Sequence, residues 1–96
     1  MKLILIAYNV AIDNEVLEAL EKCGLQYYTK WQQVFGKGEA SGPHLGTSVW
    51  PEVNNVLAVA CEEEKVEQLL SCVKELRKQM AKEGIKAFVL PVEEAA

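Results

Sequence analysis

Ninety-six residues, half of them hydrophobic and a quarter charged, make one domain spanning the chain and exclude disorder of the whole. A formal net charge of −4, with no Lys/Arg cluster outside one helix, excludes a nucleic-acid binder and a ligand of anionic membranes. The apolar run Leu3–Ala7 is too short for a signal-peptide core or a membrane span, so the expected location is the cytoplasm.

In chain order, Lys2 to Asn9 is apolar almost without a break, as in a strand covered on both faces. Asp13 or Asn14 is placed to cap a following helix. Val16, Leu17, Leu20 and Cys23 recur at helical spacing, and Gly24 stands where a left-handed residue closes a helix. Leu25 to Phe35 is rich in Tyr, Thr, Trp and Val and predicts a second strand, ended by Gly36 and Gly38. Glu39 to Pro51 has no period of strand or helix and reads as loop. Val53 to Cys61 returns to strand, with Val56, Ala58 and Ala60 on one face and Leu57, Val59 and Cys61 on the other.

A second helix follows, with Val66, Leu69, Leu70, Val73, Leu76 and Met80 in one apolar stripe. Glu62, Glu63 and Glu64 at its start and Arg77, Lys78 and Lys82 near its end suit the helix dipole. Gly84 ends it, and Lys86 to Val92 supplies the last strand, whose Pro91 requires an edge position or a departure from the sheet. Cys23, Cys61 and Cys72 show neither CxxC nor metal-ligand spacing and read as reduced, buried thiols.

The order βαββαβ predicts an α+β, ferredoxin-like domain: a four-stranded antiparallel sheet with two helices on one face and the first and third strands central. Two helices cover one sheet face only. The central strands nevertheless carry apolar side chains on both faces, so a further copy of the chain is expected against the open side. Dimer and trimer satisfy that argument equally.

The loop, about a dozen residues against a hairpin norm of two to five, is where function is expected. Its glycines allow close backbone approach to an anion or a metal-bound ligand. It holds the only histidine, His44, a candidate divalent-metal ligand, with Glu39 or a residue of a neighbouring subunit completing the site. Lys37, between Gly36 and Gly38, offers charge to a phosphate, and Trp31 and Trp50 offer stacking surfaces. The set Lys74, Arg77, Lys78 and Lys82 reads as the polar face of its helix.

The turn Val34-Phe35-Gly36-Lys37-Gly38, with the N-terminal strand and the element order, resembles the PII signalling superfamily. There the corresponding stretch leads into a mobile effector loop. Tyr28-Thr29-Lys30-Trp31, Gly42-Pro43-His44-Leu45-Gly46-Thr47 and Trp50-Pro51 resemble a divergent PII-like subgroup, some of whose members accompany metal-efflux genes. The resemblance implies a cytoplasmic homotrimer, not an enzyme and without catalytic residues. It would bind a small effector at intersubunit clefts through the loop (about 36–52) and modulate a partner, a membrane transporter or efflux component. On this resemblance Gly36, Lys37, Gly38, Glu39 and Trp50 are the effector-binding candidates. Ala40 and Ser41 stand where the family's effector-binding glutamine and lysine fall, and the second glycine-rich nucleotide loop has no counterpart between Cys61 and Ile85. A divalent metal is therefore expected ahead of a nucleotide. The competing readings are a dimeric α+β barrel enzyme using His44 as acid or base, and a module that docks on a transporter with no small ligand. His44 lacks an orienting Asp or a nucleophile beside it in sequence, which disfavours the enzyme.

Overall fold

Along β1 (Lys2–Asn9), Ile4, Ile6 and Tyr8 are buried while their neighbours are half-covered, the period of two that a strand imposes on its side chains. In the computed structural model, which describes residues 1–37, 52–80 and 83–96, β1 leads through a 3-10 turn (Val10–Ile12) into α1 (Asp13–Lys22). There follow β2 (Thr29–Gly36), β3 (Glu52–Cys61), α2 (Glu63–Gln79) and β4 (Ile85–Pro91). The four strands form one antiparallel sheet in the order β2-β3-β1-β4. This is the ferredoxin-like arrangement, with β1 and β3 central as right-handed crossovers require.

One sheet face carries the core. Ile4, Ile6, Leu57 and Val59 form a single cluster with Val16 and Leu20 of α1 and Val66, Leu69, Val73 and Leu76 of α2. Each of these side chains contributes about 1.5–3 kcal/mol by leaving water, so this layer carries the stability of the domain. The end of α1 is fixed by its backbone. Gly24 takes a φ of 103°, its N–H bonds to the Glu21 carbonyl at 3.1 Å, and the Leu25 N–H bonds to the Leu20 carbonyl at 2.9 Å. This pair of bonds is the Schellman closure, with Leu25 and Leu20 both buried beneath it.

Three boundaries differ from the sequence expectation. The chain from Leu25 to Tyr28 is used to leave the helix, so β2 starts at Thr29. α2 stops at Gln79, five residues short of Gly84, because Met80 already leaves helical geometry at φ −119° and ψ 54°. Asp13 and Asn14 do not cap α1. Asn9 caps the 3-10 turn instead, accepting from the Ala11 N–H at 2.9 Å, which frees the Asp13 carboxylate for other partners. Pro91 does close an edge strand, since β4 pairs with β1 alone.

The opposite sheet face is largely apolar, and neither described helix covers it. Register aligns Leu3 with Ala60 and Leu90, Leu5 with Ala58 and Phe88, and Ala7 with Val56, which also neighbours Trp31. Trp31, Phe88 and Leu90 are 50%, 56% and 41% exposed.

Candidate functional site

The long connection leaves the sheet where Gly36 of β2 faces Glu52 of β3. The Asn54 side chain lies over Gly36, its amide nitrogen 2.7 Å from where a Cβ would stand, so a larger residue there would have to turn that side chain aside. Lys37 follows it, exposed. Gly38, Glu39, His44 and Trp50, and with them the metal pair and most of the effector set, lie outside the described residues, as does Lys82. Of the remaining basic helix residues, Arg77 donates from Nε to the Ile85 carbonyl at 3.3 Å, and Lys78 stands 4.0 Å from Glu75. Both contacts suit an ordinary helix face.

Just before this exit, β2 carries a bulge. Trp31 pairs with Val56 and Val34 with Asn54, so Gln32 and Gln33 together oppose Asn55. Gln33 adopts a φ of 55°, in the left-handed region that side chains other than glycine rarely occupy. The buried Asn55 holds it there, its Oδ1 accepting the Gln33 N–H at 3.0 Å. Bulges of this kind redirect a strand next to functional segments.

Asn55 is itself one member of a polar cluster. Its Nδ2 donates to Asp13 Oδ1 at 3.0 Å, the Tyr8 hydroxyl donates to the same oxygen at 2.6 Å, and Lys30 Nζ donates to Oδ2 at 2.9 Å. Burial opposes ionisation of Asp13, but hydrogen bonds from Lys30, Tyr8 and Asn55 outweigh it and hold the carboxyl below its usual range. Burial, then the hydrogen bond to Asp13 and its charge, pushes the Tyr8 phenol far above its usual range. Tyr8 thus stays a donor and Asp13 an acceptor at neutral pH. The cluster is a strut joining β1, α1, β2 and β3. Sequence reasoning assigned none of Tyr8, Asp13, Lys30, Gln33 or Asn55 to it. The one available signal was the pair Asn54-Asn55 in the otherwise apolar run of β3.

At the other end of β2 lies a cavity of about 370 Å³ between the segment Gly24–Tyr27, the end of β3 at Val59–Glu62, and the first turns of α2. Lys65 Nζ spans it to the Gly24 carbonyl at 3.0 Å. Leu25, Val59 and Leu69 give it an apolar floor, and Gln26, Glu62, Glu64 and Gln68 give it polar walls. That is the size and lining of a small-ligand site. Among the described residues no group of three or more His, Cys, Asp or Glu side chains is placed to hold a metal ion. No helix among them is long and apolar enough to cross a membrane.

Solved structures that share this fold include those of PII-like proteins. CPII, a nitrogen regulatory PII-like protein of Thiomonas intermedia K12, bound to ADP, AMP and bicarbonate, is 19% identical with a TM-score of 0.65, over 99% of this chain and 94% of that one. The same protein bound to ADP and bicarbonate is 20% identical with a TM-score of 0.65, over 97% and 88%. A protein of Thermus thermophilus described as PII-like and signalling is 20% identical with a TM-score of 0.61, over 93% and 83%. No curated protein matches the chain. The family model for nitrogen regulatory protein P-II matches residues 1–96, and with the fold in agreement the chain belongs to the P-II family of regulatory proteins.

Proposed function

We propose that this P-II family member acts in the cytoplasm as a homotrimer, assembled through the open sheet face, whose subunit junctions bind a small effector. The observation that carries this reading is the apolar face built by Leu3, Leu5, Val56, Ala58, Phe88 and Leu90, which the described helices leave uncovered. A sister sheet is the natural cover. Gly36, Lys37, Gly38, Glu39 and Trp50 contact the effector, and His44 with Glu39 serves a divalent metal. Effector binding resets the loop and so changes the docking of a partner, a membrane transporter or efflux component. The strut at the loop base supports this, because it gives the exit from β2 a fixed direction.

The ligands of CPII bring adenine nucleotides and bicarbonate forward as effectors beside metal ions. The cavity beside Gly24–Tyr27 suits the base of a nucleotide better than its phosphates, since Glu62 and Glu64 stand at its walls.

Light scattering with a thermal-shift panel of ADP, AMP, ATP, bicarbonate, zinc, copper and nickel tests the proposal. The expected result is a particle of three 10.7 kDa chains and a raised melting temperature with at least one ligand. A ligand at a hundredfold its Kd adds about 2.7 kcal/mol to the native state. A metal response that disappears in His44→Ala assigns the metal to the loop. A monomer at micromolar concentration, or no response to any ligand, overturns the corresponding half of the reading.

A further inference from the structure

Cys72 faces α1 from the middle of α2 and is buried, its thiol donating to the Ala19 carbonyl at 3.3 Å. The same carbonyl accepts the backbone N–H of Cys23 at 3.1 Å. Both cysteines therefore converge on one oxygen at the end of α1, which sets Cys72 of α2 beside Cys23. Cys23 is half-buried at the last turn of its helix and open enough to meet a small solute. Cys72 is pushed up to about 12 by burial and then by the Cys23 thiol beside it, which keeps it from reacting with solutes on its own.

We propose that Cys23 and Cys72 form a reversible disulfide when the protein meets hydrogen peroxide, and that this bond fastens together two walls of the neighbouring cavity. The Cys23 thiolate attacks the peroxide, the O–O bond breaks, Cys23 becomes a sulfenic acid and hydroxide leaves. The Cys72 sulfur then attacks the Cys23 sulfur. The S–O bond breaks, and water leaves with the Cys72 proton. Overall the two thiols lose two electrons and the peroxide is reduced to two waters. Gly24 and Leu25, directly after Cys23, line the cavity opposite Lys65, Gln68 and Leu69 of α2, so the bond ties the end of α1 to the helix that forms the facing wall. The crosslink itself does not depend on the proposed function; only its effect on effector binding does.

The test is intact-mass and non-reducing peptide analysis of the full chain after hydrogen peroxide, with amide exchange read over Gly24–Tyr27. The expected product lacks two hydrogens, links the Cys23 and Cys72 peptides, reverts with dithiothreitol and exchanges about tenfold more slowly at those amides. Cys61→Ser should leave the crosslink intact and Cys23→Ser should abolish it. Accumulation of Cys23 sulfinic acid without a crosslink, or a bond that uses Cys61, overturns the assignment. A crosslink with unchanged amide exchange overturns the fastening of the cavity. Because mass and exchange are read without any effector, failure here is separable from failure to find a ligand.

Discussion

Asp13 reads in sequence as a helix cap and works in the fold as a tie. Its carboxylate faces Lys30 with both side chains three-quarters or more covered. Asp13→Asn keeps the shape and removes the charge, so at neutral pH it should cost about 1–3 kcal/mol in urea unfolding. The folded carboxyl lies below its unfolded value of about 3.9. Its contribution is therefore present above the unfolded value and is lost as pH falls through the folded one. The stability gap between wild type and variant should close in acid, and a gap that stays constant through that range would remove the ion pair as its cause. The capping reading failed for a physical reason. Lys30 and Asn55 reach Asp13 across 17 and 42 residues of sequence, and local spacing carries no record of such contacts.

Among the elements, the strands and helices that bury an apolar face were legible, because burial sets their period. α1 and α2, β1 and β3 stand where the pattern of Val, Leu and Ile puts them. The bulge in β2 was not, since Gln32 and Gln33 look alike in sequence while only one occupies a left-handed conformation. What holds Gln33 is the buried amide of Asn55 from the neighbouring strand. Gln33→Gly should stabilise the fold by about 0.5–1 kcal/mol in chemical denaturation, by relieving the left-handed cost. Asn55→Ala should destabilise it by about 1–3 kcal/mol, since it strands the Gln33 N–H and leaves the Asp13 oxygen one donor short, with Tyr8 still in place. A destabilised Gln33→Gly would mean that its side chain, and not its backbone, is what the bulge needs. The cavity was equally hidden, being a gap between segments that only the folded sheet brings together.

For the whole molecule, the doubly apolar central strands were the most informative sequence feature. With the element order they predict a sheet with helices on one side and a greasy second side, and among the described residues both are present. Phe88 lies midway along the edge strand β4 on that side, beside Leu5, 56% exposed. Phe88→Asp should leave the circular dichroism of the chain unchanged and reduce the particle seen by light scattering to a single chain. An unchanged particle would place the assembly contact elsewhere. The strand order has a kinetic consequence as well. Ile4 finds its partners at Val59 and Val89, so the first strand made has nothing to pair with until most of the chain exists. Closing such distant contacts is slow, on the order of milliseconds to seconds. During that interval Leu3, Ile4, Leu5 and Ile6 form a sticky ribbon with unsatisfied amides, open to capture by other nascent chains.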